Sequence, residues 1–206
     1  MGQIFEKVNL KATSTILSPA PAVLVSCRGT GAPYDKDNII SIAMTSALST
    51  VPPLACISLK SVRFSYPQIK QSGEYVINMV GRDMCYAADW CGVRSGRDYD
   101  KFKECNLTPA PIKNLSIAHA IAEAPISIGC KLVDVVKAGS YEVFIGEAVS
   151  VEARADIVDE NGKVDFKKIG LISYNHGNYY DIGDYLGFLG YSVASPEVLQ
   201  KKAKDK

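Results

Sequence analysis

The stretch "GVRSGRDYDKF", Gly92 to Phe102, gathers three cations (Arg94, Arg97, Lys101), a hydroxyl (Ser95) and a glycine (Gly96) within eleven residues. That mixture suits the grip of a small anion better than attack by a nucleophile. A helix start leaves its first N–H groups without partners and carries the positive end of the helix dipole, so it can hold a phosphate monoester. Ser95 followed three residues later by Asp98 has capping spacing, which predicts a helix start here. Gly96 permits close backbone approach, and Arg97 and Lys101 add charge. A capped surface helix with solvated charges would use the same residues, so the stretch leaves both readings open.

Two further segments carry related chemistry. "SLKSVRFSY" sets Lys60, Ser61, Arg63, Ser65 and Tyr66 where a strand gives way to a helix, again a donor-rich terminus. "AMTSAL" puts the hydroxyls of Thr45 and Ser46 at the end of an apolar run, where small residues let a flat ligand approach the backbone. Capping, or hydroxyls facing solvent, would account for each segment taken singly. Three such chain corners, without a catalytic triad or metal cluster, point to a phosphorylated flat cofactor. The chain has neither G-x-G-x-x-G nor G-x-x-x-x-G-K-[ST], so the common dinucleotide and triphosphate cradles are excluded.

The elements that position these corners read as strands. "APAVLVSC" (Ala20–Cys27), "IISIAMTSAL" (Ile39–Leu48) and "LACISLK" (Leu54–Lys60) are apolar runs, the last two parted by Pro52 and Pro53. "EYVINMV" (Glu74–Val80) is β-branched and apolar, a central strand. "PISIGCKLVDVVKAG" and "YEVFIGEAVSVEARADIVD" alternate and predict an antiparallel pair, with Gly146 at a bulge or close approach. Asn161-Gly162 is a strong hairpin turn. "SVRFSYPQIKQSG" predicts a short helix stopped by Gly73. Six or seven strands with short helices give an all-β barrel or sandwich, not a doubly wound parallel sheet.

Composition narrows the function further. The chain has 206 residues, 47% apolar and 22% charged, with net charge +1. This is an ordinary globular profile that lacks the basic excess of a nucleic-acid binder. No repeat or low-complexity linker divides it, so one domain over residues 1–206 is expected. The six cysteines form no C-x-x-C pair and only two histidines are present, which gives metal ligation little support. Free thiols are expected, with Cys85 and Cys91 as possible neighbours. The opening "MGQIFEKVNL" lacks a signal-peptide core and no apolar run is of membrane-spanning length, so a cytoplasmic protein is expected.

The order of the blocks "PAPAVLVSC", "NIISIAMTSALSTVPPLACISLKSVRFSYPQIKQSGEYVINMV", "CGVRSGRDYDKFKECNLTP" and "IAEAPISIGCKLVDVVKAGSYEVFIGEAVSV" resembles the flavin reductase-like family, in particular its flavoredoxin branch. The resemblance runs from about Pro19 to "GDYLGFLGYS". It implies a split β-barrel of Greek-key type that binds FMN non-covalently, usually as a homodimer with flavin sites at the subunit interface. Met44, Thr45, Ser46 and Ala47 would line the isoalloxazine and ribityl chain. Lys60, Arg63, Phe64 and Ser65 would face the ribityl phosphate, and Asn78 would sit beneath the flavin. Ser95, Gly96, Arg97 and Lys101 would complete the phosphate site from the same or the neighbouring chain. His176 falls in a region that commonly reaches the flavin edge in relatives. The family passes electrons from NAD(P)H or a redox protein partner to flavin or another acceptor. Many members carry a histidine before the "FIGE"-like strand; this chain has Ser140 and Tyr141, so both donors remain in play. Hydride chemistry at a flavin needs no protein nucleophile, which fits the absence of an acid–base pair.

Overall fold

The computed structural model describes residues 5–11 and 16–204. In chain order the strands and helices are β1 (Ala20–Pro21), β2 (Val23–Cys27), β3 (Asn38–Ile42), β4 (Thr45–Thr50), β5 (Pro53–Leu59), α1 (Ser65–Ser72), β6 (Glu74–Met79), α2 (Cys85–Val93) and α3 (Lys101–Glu104). There follow β7 (Pro109–Ala110), β8 (Ala120–Ile121), β9 (Ile126–Ala138), β10 (Tyr141–Ala153), α4 (Phe166–Ile169), β11 (Ile172–Asn175), β12 (Asn178–Asp181) and α5 (Pro196–Lys204). Among the described residues no helix is long and apolar enough to cross a membrane.

Seven strands form one antiparallel sheet in the order β3-β2-β6-β9-β10-β5-β4. β10 lies beside β5 after β6 and β9 have been laid down, which is Greek-key order. Laid flat, the six gaps of this sheet would hold its edges about 29 Å apart. Yet β3 and β4 are the two edges, and only Ala43 and Met44 link them. Three Cα steps reach at most about 11 Å. The sheet therefore curls until its edges face each other. The backbone continues across the seam, and Ser58 N–H donates to the Met44 carbonyl at 2.9 Å. The run Ile39–Leu48 is thus broken at Ala43–Met44, and that break is what closes the barrel.

The barrel interior is filled by Val25, Ile57, Leu59, Ile69, Tyr75 and Phe144. The other side of β2 and β3, with Leu24 and Ile39, packs against Ala88 and Cys91 of α2 and Phe102 of α3. β2 and β6 are covered on both sides, as the central position expected for "EYVINMV" requires. The β9–β10 pair also forms as expected, and its register shifts between Ile145 and Gly146. A Cβ at Gly146 would collide with the Tyr75 ring, so the glycine both bulges the strand and admits the tyrosine. Gly73 ends α1 at φ 68°, and Gly162 takes φ 77° in the loop closing the Val158–Val164 bridge.

Two local expectations are corrected. No helix starts at Ser95: residues 95–99 make a single turn in which the Ser95 carbonyl accepts from the Asp98 and Tyr99 amides. Asp100 is the cap instead, accepting from the Lys103 amide, and α3 begins at Lys101. The delay lets the Lys101 side chain turn inward. Second, α2 was not anticipated, although Met84, Ala87, Ala88 and Cys91 follow helical spacing and are all buried.

Candidate functional site

The seam of the barrel opens into a cleft of two connected chambers that share Ile40, Arg63 and Gly92. The wider one, about 380 Å³, has the β3–β4 link (Ile42, Ala43, Met44) and the end of β5 (Ser58, Leu59, Lys60) as walls. Tyr141, Tyr174 and Tyr179 border it on one side and Ala88, Asp89 and Val93 of α2 on another. A slot with apolar and aromatic walls and a few polar groups is the shape a flat ring system fills. α2 can lie this close to β3 because a Cβ at Gly92 would already crowd the Ser41 Cβ at 3.3 Å, and the Ser41 hydroxyl donates to the Ala88 carbonyl.

The narrower chamber, about 150 Å³, lies between the strand-to-helix corner at Val62–Ser65 and the turn at Arg94–Arg97. Arg63, Arg94, Arg97 and Lys101 line it, with the hydroxyl residues Ser65 and Ser95, and among the described residues no carboxylate does. The acids of the same stretch are placed elsewhere, Asp100 as the α3 cap and Asp98 exposed. Arg97 binds the two corners together: its guanidinium donates to the Val62 carbonyl at 3.2 Å and lies 5.9 Å from the Phe64 ring centroid. A Cβ at Gly96 would strike the Asn38 amide oxygen, so only glycine lets the turn descend this far.

Lys101 differs from the arginines. It is buried, and Nζ donates to the Ile39 and Cys91 carbonyls at 2.7 Å each. Burial pulls its pKa below the ordinary lysine value, and the neighbouring Arg63 charge acts in the same direction. It is a charge built into the chamber floor, not a mobile one. Asn38 is buried there too. Gln68 Nε2 donates to the Tyr34 and Lys36 carbonyls, which leaves its Oε1 to accept from Asn38 Nδ2 at 2.9 Å. Nδ2 also reaches Ser65 Oγ at 2.8 Å, so Oδ1 is left as a buried acceptor without a partner. In the wider chamber, burial and the Asp89 carboxylate push the Tyr179 phenol up to about 12.

The structure therefore brings together Met44, Lys60 and Arg63 in the wide chamber, and Arg63, Phe64, Ser65, Ser95, Gly96, Arg97 and Lys101 in the narrow one. It leaves others outside. Beyond Met44 the edge strand runs away along β5: the Thr45 hydroxyl is spent on the Cys56 carbonyl at 2.8 Å, and Ser46 and Ala47 are exposed off the cleft. Asn78 does not lie in the cleft. Its Nδ2 donates to the Leu24 carbonyl and Ser26 Oγ, and its Oδ1 accepts from the Ile121 amide and Ser127 Oγ, so it clamps β2, β6, β8 and β9 together. His176 is exposed at the tip of the β11–β12 hairpin, at φ 47°, beside the cleft-lining Gly177. Sequence reasoning missed Asn38 and Asp89; Asn38 sits at the end of a turn-rich run that signals only a loop.

Comparison with known proteins agrees with this architecture. The model of the flavin reductase like domain matches residues 16–183. Flavoredoxin of Desulfovibrio vulgaris (Miyazaki F) is 26% identical, with a TM-score of 0.82 over 91% of this chain and 99% of that one. A Shewanella frigidimarina protein assigned as a flavin reductase with a split barrel domain is 25% identical, with a TM-score of 0.75 over 86% and 89% of the two chains. An FMN-binding protein from Thermus thermophilus, 20% identical, superposes with a TM-score of 0.72 over 91% and 99%. The curled sheet with an open seam is the split barrel of these neighbours, and the chain belongs to the flavin reductase like domain family.

Proposed function

We propose that the chain, acting as one domain, binds FMN in the seam and serves as an oxidoreductase that moves electrons from NAD(P)H to flavin or another acceptor. The observation that carries this reading is the narrow chamber: four cations, hydroxyls and no carboxylate among the described residues, opening directly into a flat apolar slot. A phosphate monoester fits the first and an isoalloxazine ring the second. Asn38, whose Oδ1 is a buried acceptor without a partner beneath Gly96, also lines this chamber. Bound FMN would supply the hydride and single-electron chemistry. The residues of this chain would bind and orient it: Arg63, Arg94 and Arg97 at the phosphate, Lys101 beneath it, Met44, Leu59 and Val93 against the ring.

The working form in this reading is a cytoplasmic homodimer, with Ser46 and Ala47 on the exposed edge strand offered to the neighbouring copy. Titration of the purified protein tests the cofactor. FMN should bind at least 100-fold tighter than riboflavin; equal affinities would remove the phosphate from the narrow chamber.

A second reading is a flavoredoxin-type carrier reduced by a protein partner. It is favoured by Tyr141, which lines the wide chamber with Lys60 Nζ 5.0 Å from its ring centroid, beside the position where many relatives place a histidine. Anaerobic mixing separates the two. Bleaching by NADH or NADPH identifies the reductase; bleaching by reduced ferredoxin alone identifies the carrier.

A further inference from the structure

We propose that Cys91 and Cys105 form a reversible disulfide that staples the cation-bearing turn of the cleft. The two sulfurs lie 3.7 Å apart, and both cysteines are free. A disulfide is about 2.05 Å long, so closure needs a relative shift of less than about 2 Å. The pair brackets one segment only, and that segment holds Arg94, Ser95, Gly96, Arg97 and Lys101, the whole of one wall of the narrow chamber.

Both cysteines already hold Lys101. The Cys91 carbonyl accepts from its Nζ at 2.7 Å, and the Cys105 amide donates to its carbonyl at 3.2 Å. A bond between the two sulfurs would close the ring around the lysine and reduce the freedom of the turn between them. The free thiols expected from sequence are found, and the close pair is this one, not Cys85 with Cys91: Cys85 opens α2, whereas Cys91 lies near its end and packs in the same cluster as Phe102 of α3.

The reaction has a defined order. Cys91 is fully buried and Cys105 is partly exposed, so a low-molecular-weight disulfide meets Cys105 first. The Cys105 thiolate attacks one sulfur of that oxidant and expels the first small thiol. The Cys91 thiolate then attacks the Cys105 sulfur and expels the second. Two protein S–H bonds and the oxidant's S–S bond are lost; one protein S–S bond and two small-molecule thiols form, and the two electrons pass to the oxidant. Burial raises both thiols, Cys91 to about 12, which lowers their thiolate fractions and makes closure slow at low oxidant concentration. Disulfides are rare in reducing compartments, and those that form there are usually transient and either catalytic or redox-sensing.

The chemistry stands apart from the cofactor assignment; only its effect on FMN rests on the proposed function. Purified reduced protein would be treated with oxidised glutathione, then analysed by intact mass, peptide mapping and backbone amide exchange. The expected result is a loss of two hydrogens per chain, a Cys91–Cys105 cross-linked peptide, and amide exchange across residues 94–101 slowed at least tenfold. Dithiothreitol should reverse all three. Cys105→Ser should abolish the cross-link, and Cys85→Ser should leave it intact. A different pairing, mixed glutathione adducts alone, or unchanged exchange in cross-linked protein overturns the proposal. FMN titration of both forms should show at least fivefold tighter binding when oxidised. Cross-linked, exchange-protected protein that binds no FMN in either state would uphold the staple and overturn the cofactor reading.

Discussion

Within the narrow chamber, two kinds of basic residue should respond differently to truncation. Arg63 is exposed at the junction of the chambers, and Arg97 is anchored by one N–H to the Val62 carbonyl. A charged hydrogen bond to phosphate contributes about 1.5–3 kcal/mol. Arg63→Ala or Arg97→Ala should therefore raise the FMN Kd about 10- to 100-fold, leave riboflavin binding unchanged, and shift thermal melting little. Lys101→Met should do the reverse of this last. It leaves the Ile39 and Cys91 carbonyls without their donor inside the protein, at a cost of about 1–3 kcal/mol each. Denaturant unfolding of that variant with no loss of stability would show that the lysine is not structural. The sequence made the three cations visible but not this division, because burial depends on where Ile39 and α2 come to lie. Asn78 shows the same limit: an asparagine in a central strand can face a ligand or fasten its neighbours, and only the partners at 2.8–3.0 Å decide.

Between elements, the segment joining α3 to β9 is tied to the sheet at several points, and one carboxylate gathers most of the bonds at residues 116–118. Glu74, at the start of β6, accepts from the amides of Ser116, Ile117 and Ala118 and from the Ser116 hydroxyl. Burial alone would raise its pKa, but the amides of Ala118, Ile117 and Ser116 together outweigh burial and hold it below the ordinary glutamate value. Since the folded value lies below the unfolded one of about 4.3, the stabilisation is complete above that pH. It is lost as pH falls through the folded value. Glu74→Gln should cost about 1.5–3 kcal/mol at pH 7 and flatten the acid limb of the stability profile; an unchanged acid limb would assign that limb to other carboxylates. The bulge at Gly146 is a second junction. Gly146→Val forces the Tyr75 ring aside and should cost at least about 1–3 kcal/mol, read as a lower melting temperature. These β elements were legible because alternation and glycine placement are local. The seam was not: nothing in "IAMT" states that two edges of one sheet meet there, a fact that follows only from the strand order.

Across the whole molecule, the sheet has an outer face that a lone barrel would leave wet. The register sets Val136 beside Val143, and Ile145 between Asp134 and Cys56, across β9, β10 and β5, so apolar positions cluster on this face around one exposed carboxylate. Val133 on the same hairpin is exposed, as are Leu48 and Val51 at the edge formed by β4 and its turn. Outward positions of an antiparallel sheet are ordinarily polar, and contiguous apolar ones mark a contact surface. The edge strand that begins at the cleft borders this partly apolar face, so covering it with a second copy would bring that copy toward the rim of the wide chamber. Light scattering should give twice the 22.3 kDa chain mass. Val136→Glu puts a carboxylate into the middle of that contact and should yield a folded monomer with FMN affinity reduced at least tenfold if the neighbouring copy completes the slot. A monomer that keeps full affinity would make each barrel sufficient by itself, and a wild-type chain already monomeric at tens of micromolar would leave this face without the partner argued for it.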